Sequence, residues 1–169
     1  MAGSHKKAIL RKLSRDWVAG YVAAEGFCRE GAVELLDLTS KVVQVPAREI
    51  KWICYVRDFN SGEVNNPERL LRKTFAGRPR IEGVYLRLKL TDGDVLEGVA
   101  ANDRGLISGE GVFLLPPDTR ANTQRIWIPC SAVSELEVVA VIGTAVRKKS
   151  TAVESTARVE AADQPELFS

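Results

Sequence analysis

The alternation of apolar and polar positions predicts two successive sets of five short strands. In the first set, Ile9 and Leu13 flank Arg11 with period two, and strands follow over 17–22, 32–36, 41–45 and 50–56. In the second, strands fall over 84–90, 95–100, 112–115, 126–129 and 133–142. Turn signals separate them: Ser14-Arg15-Asp16, Glu25-Gly26, Glu30-Gly31, Thr39-Ser40 and Pro46 in the first set, and Thr91-Asp92-Gly93-Asp94 in the second. Asp-Gly readily takes the left-handed backbone angles of a tight hairpin. Strands this short and closely spaced imply antiparallel neighbours in a small barrel or sandwich.

The two sets align. Gly20 falls on Gly98, Pro46 on Pro129, Ile50 on Val133 and Ile53 on Leu136. The stretches VQVPAREIKWICYV and IWIPCSAVSELEVV share an apolar–polar–apolar triplet before proline and a β-branched residue four positions after it. The second copy is longer between its glycine and its proline, and 116–124 absorbs the excess as a polar, Pro-rich loop. A unit of about 55 residues is small for independent stability, so the copies are expected to pack on each other. Between them, Asn66-Pro67-Glu68 reads as a helix start, with Leu70, Leu71 and Phe75 on one face and Gly77 as the stop. The expected organisation is a barrel over 6–57, a linker and short helix over 58–80, a second barrel over 81–143 and a disordered tail over 144–169.

Composition narrows the function classes. The 169-residue chain is 45% hydrophobic and 27% charged, with a net charge of +2, so any basic binding surface must be local. Cys28, Cys54 and Cys130 are odd in number and far apart, which argues against a disulfide framework or zinc site and for reduced thiols in a cytoplasm. His5 is the single histidine, which removes a Ser-His-Asp or Cys-His site. The expectation is an all-β protein that is not an enzyme, holds no cofactor and does not span a membrane.

Helix followed by five short strands in a strongly bent sheet resembles the Sm/LSm plan, here as a tandem pair in a bacterial branch of that family. The second copy carries the closest match, Leu90-Thr-Asp92-Gly93-Asp-Val-Leu-Glu-Gly98 followed by Asn102-Asp103. The resemblance implies that Gly98 lets the second strand bend. It also implies that a fourth strand pairs with the fifth strand of a neighbouring unit, within the chain or in a homo-oligomer. Exposed edges invite such pairing. It further implies RNA contacts from a polar residue after the second strand, Asn102 or Asp103 in copy two and Glu25 in copy one. A second RNA element, an Arg-Gly pair, would stand where this chain has Pro46-Ala47 and Pro129-Cys130.

Candidate chemistry lies in several places. Asp92, Asp94 and Glu97 form a carboxylate cluster suited to metal or acid–base work, or to a soluble hairpin tip. Lys6, Lys7, Arg11, Lys12 and Arg15 line the first strand and its turn, and Arg69, Arg72, Lys73, Arg78 and Arg80 follow the linker. If both groups share a face they form a phosphate-binding surface for RNA; otherwise they are solvated charge. The basic stretch also resembles PilZ domains, which sense cyclic dinucleotides through paired arginines, with Arg69 and Arg72 spaced one residue too closely. Asn122, Gln124 and Arg125 of the long loop are candidate partner contacts. Gln164, Leu167 and Phe168 resemble the Gln-x-x-Leu-Phe peptide that docks bacterial replication proteins on the sliding clamp.

Overall fold

The computed structural model describes residues 3–59, 63–107, 109–118 and 120–143. The first repeat contributes β1 (His5–Lys12), β2 (Trp17–Ala23), β3 (Cys28–Arg29), β4 (Ala32–Asp37), β5 (Val42–Pro46) and, after a 3-10 turn at Ala47–Glu49, β6 (Ile50–Val56). The second contributes β7 (Gly83–Leu90), β8 (Val95–Ala100), β9 (Gly111–Leu114), β10 (Thr123–Pro129) and, after a 3-10 turn at Cys130–Ala132, β11 (Val133–Ile142). The protein is all-β, as the alternation predicts. The two-residue β3 was not expected, and His5 opens β1.

Backbone hydrogen bonds repeat between the halves. Lys12 N–H donates to Asp16 O, and Leu90 N–H to Asp94 O, across the two hairpins. Leu13 N–H reaches Glu49 O as Thr91 N–H reaches Ala132 O. Ala47 N–H donates to Gly31 O at 2.7 Å and Cys130 N–H to Glu110 O at 2.8 Å. The aligned glycines also share a role. A Cβ on Gly20 would stand 2.3 Å from Leu36 O, and one on Gly98 would stand 2.8 Å from the Leu114 Cβ. In both halves the second strand passes its next neighbour too closely for a Cβ, and glycine permits it. In the first hairpin Arg15, at φ 80°, takes the left-handed position that Gly93 holds at φ 90° in the second.

The strands form open sheets, where closed barrels were expected. One sheet runs β3-β4-β2-β1-β6-β10-β9 with β5 beside β4, and the other runs β11-β7-β8. A bridge between Val99 and Leu115 links β8 to the end of β9. Two cores result. Ala8, Leu10, Val22, Phe27, Val33, Leu35, Val45, Ile50, Ile53 and Tyr55 fill the first, together with Trp127 from the other repeat. The second holds Val84, Leu86, Leu88, Leu90, Leu96, Leu114, Ile126 and Ile128, and is closed by Ile9, Ala19, Trp52, Cys54 and Val56 of the first repeat. β1 and β6 therefore face a core on both sides, which explains the apolar run of β6 over 52–56.

The expected helix over 66–77 is absent. Asn66 does cap a turn, accepting the Leu70 N–H on Oδ1, but Arg69 takes φ 49° and ends it there. The turn is held instead by long-range bonds: Glu68 pairs with Arg11, and Thr123 Oγ1 donates to Glu68 O at 2.6 Å. Leu70 is buried, whereas Leu71, assigned to the same face, is exposed.

Gly20→Ala and Gly98→Ala are each expected to cost about 1–3 kcal/mol, the usual penalty of overpacking. Gly77→Ala, whose added Cβ meets nothing within 4 Å, should leave the urea midpoint in place. Coincident midpoints for all three variants would remove the close-approach role of the aligned glycines.

Candidate functional site

The site with the clearest construction is a strand junction and its two unfilled counterparts. β6, the fifth expected strand of repeat one, pairs antiparallel with β10, the fourth of repeat two: Tyr55 lies opposite Arg125, Cys54 opposite Ile126 and Ile53 opposite Trp127. Trp127 is carried across this ladder into the first core, where Phe27 packs edge-on to it with centroids 5.1 Å apart. Tyr55 and Phe113 complete that aromatic group. Burial pushes the Tyr55 hydroxyl up to about 12, against the charge of Arg125. Nothing in the apolar alternation signals that these aromatics come from both repeats.

The same two strand positions recur, each with one edge unpaired among the described residues. β5, which corresponds to β10, pairs only with β4 among the described residues, and β11, which corresponds to β6, pairs only with β7. Both strands carry exposed apolar residues. Leu136, Val138 and Val141 are 57%, 55% and 57% exposed, and Val42 is 63% exposed. Leu136 lies opposite Leu88 and Val138 opposite Leu86, so they stand on the core side of the sheet, beyond the point where the second core ends. The other side of β11 is charged: Glu137 pairs with Arg87 at 2.9 Å and Glu135 with Lys89 at 3.3 Å. Exposed strand edges carrying apolar side chains are a template for strand addition.

The expected phosphate-binding surface is largely neutralised. Arg11 and Lys73 do meet on one cleft, with Arg15, Trp17, Lys51 and Trp52. Arg11 gives both Nε and Nη2 to the Glu68 carboxylate at 2.8 and 2.9 Å. Lys51 bridges Asp92 and Asp94 at 2.7 and 3.0 Å, and Lys73 also reaches Asp94 at 2.8 Å. Lys51 stands over the Trp52 ring, 4.5 Å from its centroid. Lys6 and Lys7 do not line this cleft; Lys7 lies 3.8 Å from Asp58. Lys12 borders the adjoining hollow beside Asp92 and Asp94, and Arg69 and Arg72 are exposed on the connector.

The carboxylate cluster is a set of structural acceptors. Glu97 is buried and accepts from the Tyr85 hydroxyl, the Arg87 guanidinium and the Phe75 amide at 2.8–2.9 Å. Burial pushes all three carboxyls up, but hydrogen bonds and neighbouring cations outweigh it and hold them below the usual range. Asp92 is held by Lys51 and the Asp94 amide, Asp94 by Lys73 and Lys51, and Glu97 by Tyr85, Phe75 and Arg87. Groups held ionised in this way are poor proton donors near neutral pH.

Other candidate contacts are occupied locally or lie elsewhere. Asp103 caps the turn Arg104–Leu106, accepting the Gly105 amide at 2.7 Å, while Asn102 and Glu25 are exposed. Asn122 exchanges hydrogen bonds with the Asp58 backbone at 3.0 and 2.8 Å, which ties the long loop to the end of β6. Arg125 lies over the Phe113 ring at 3.7 Å, and Gln124 is exposed. Cys54 is buried and Cys130 exposed, while the Cys28 thiol donates to Glu110 and is pushed up to about 12, first by burial and then by that carboxylate. No helix among the described residues is long and apolar enough to cross a membrane. Gln164, Leu167 and Phe168 lie outside the described residues.

A family model described as a family of unknown function (DUF6982) matches residues 4–140, and the chain belongs to that family. No curated protein and no solved structure matches the chain.

The lowered carboxylates make stability acid-sensitive. Their contribution is fully present above the unfolded carboxylate range, near pH ~4, and is lost as pH falls through the lower folded-state values. Glu97→Gln should lower the urea midpoint at pH 7 and flatten its decline on acidification. A decline as steep as in the wild type would show that Glu97 is not one of the responsible groups.

Proposed function

We propose that the chain is a non-enzymatic scaffold module of tandem Sm-like architecture, which works by adding strands of a second copy to its open edges. The β6–β10 ladder carries this reading. It joins a fourth-strand position to a fifth-strand position inside one chain. β5 and β11 are the same two positions with that edge unpaired among the described residues. Copying the internal register onto them places Val42 of one copy opposite Val138 of the next, and Gln44 opposite Leu136. Two exposed valines are then buried together, and Gln44 stands where Trp127 stands in the internal ladder.

The contact is heterologous, so it propagates head to tail and closes into a ring or extends as a filament. Assembly at these edges does not need the Arg-Gly pair that Sm-like relatives use for RNA. Pro46-Ala47 and Pro129-Cys130 stand there, and the Ala47 and Cys130 amides are already bonded to Gly31 O and Glu110 O.

Sedimentation velocity across a concentration series tests the proposal. The wild type should form species larger than one chain. Val42→Lys and Val138→Lys, both at exposed positions, should each sediment as monomers with unchanged thermal midpoints. Mixing the two variants should restore a dimer and nothing larger, because one intact edge of each kind remains. A wild type that stays monomeric at about 100 μM, well above the Kd range of specific protein contacts, would sink the proposal.

A further inference from the structure

The connector between the repeats presents a cluster of arginines unlike the other cationic sites described above. Arg72, Arg78 and Arg80 line a cleft of about 260 Å³ with Thr74, Phe75 and Pro117. Each of the three side chains is exposed, and none makes a hydrogen bond, ion pair or ring contact among the described residues. Among the described residues, no carboxylate lines the cleft. The nearest acids along the chain are directed elsewhere: Asp118 accepts the Arg120 amide, and Glu82 borders a different hollow. Arg11, Lys51, Lys73, Arg87 and Lys89, by contrast, each hold a carboxylate.

The backbone holds this arrangement ready. Proline fixes its own φ and pushes the preceding residue into extended geometry. In extended chain, residues two apart share a side. Pro79 is buried, and Arg78 and Arg80 flank it exposed. Upstream, Glu97 clamps the connector: its amide donates to Lys73 O at 2.7 Å and its carboxylate accepts the Phe75 amide at 2.8 Å. Downstream, the connector runs straight into β7. Little ordering remains to be done when a ligand arrives.

We propose that Arg72, Arg78 and Arg80 bind the phosphodiester backbone of a nucleic-acid strand. Guanidinium groups match phosphate oxygens in bidentate geometry, and three without internal partners give up no ion pair on binding. The ring on the cleft, Phe75, already packs at 80° to Tyr85, with centroids 5.1 Å apart, so the proposed contacts are those of the guanidinium groups with the backbone, and these are indifferent to base sequence. This inference is independent of the proposed self-assembly.

Fluorescence anisotropy with a labelled single-stranded RNA of about 20 nucleotides, spanning several phosphate contacts, tests it on the full chain. Arg72→Gln/Arg78→Gln/Arg80→Gln should weaken binding at least tenfold and reduce the slope of log K against log salt by about 2, the value for three phosphates on a single strand. Lys6→Gln/Lys7→Gln should bind within about twofold of the wild type, as expected of cations outside the cleft. If the triple variant does not fold, Arg80→Glu alone supplies the same reading. A strand of different base composition should bind equally well. Undiminished binding by the variants, or no binding by the wild type at about 50 mM salt, where phosphate contacts are strong, would overturn the site. Competition by polyglutamate of equal length as effective as unlabelled RNA would reassign it to acidic peptides. Displacement by a mononucleotide at equal phosphate concentration would reassign it to free nucleotides.

Discussion

The structure depends on β6 being covered on both faces. Ile50, Ile53 and Tyr55 look into the first core, and Trp52, Cys54 and Val56 into the second. Its two edges are also filled, by β1 and by β10. Each repeat is too small to bury a core alone. The second core is closed by the back of the β1–β6 layer, and the first is completed by Trp127 carried over on β10. Neither repeat is a finished unit without the other. The strand that joins them reads as a near-continuous apolar run, interrupted by Lys51, whose ammonium reaches the Asp92 and Asp94 carboxylates of the second hairpin.

The connector is organised by charge. Arg11, Glu68 and Thr123 tie it to both repeats, and Glu97 fixes its second half. The helix that Asn66-Pro67-Glu68 announces fails for this reason. Helix N-terminal signals act locally, and their combined worth is a few kcal/mol at most. Here the Glu68 side chain is nearly fully buried against an arginine and its carbonyl accepts a buried hydroxyl. Long-range bonds of this kind outweigh the cap, and the chain leaves the turn at Arg69.

The repeat was legible because glycine and proline mark geometry directly. Gly20 and Gly98 sit where a Cβ would strike a neighbouring strand, and Pro46 and Pro129 precede equivalent 3-10 turns. Strand identity was legible from alternation. Sheet closure was not, because period two gives the face of each strand and says nothing of what lies beside its edge. The charge pairing was equally hidden. Arg11 and Lys73 belong to basic runs in the sequence, yet each meets a carboxylate distant along the chain. Arg72, Arg78 and Arg80, from the same run, meet none among the described residues.

Comparison of β6 with β11 shows where the two repeats diverge. Trp52 and Cys54, which face the other repeat, are replaced by Glu135 and Glu137, which pair with Lys89 and Arg87. That exchange ends the stacking of one core on the next and gives the second repeat a wettable outer face. On the other side of the strand the correspondence persists: Ile53 becomes Leu136 and Tyr55 becomes Val138, both apolar. The polar substitutions thus fall on the outer face of the strand, and the apolar residues remain on the face it shares with Leu86 and Leu88. A chain with no use for that edge gains nothing from keeping Leu136 and Val138 more than half exposed, since apolar surface left in water forgoes about 25 cal/mol per Å².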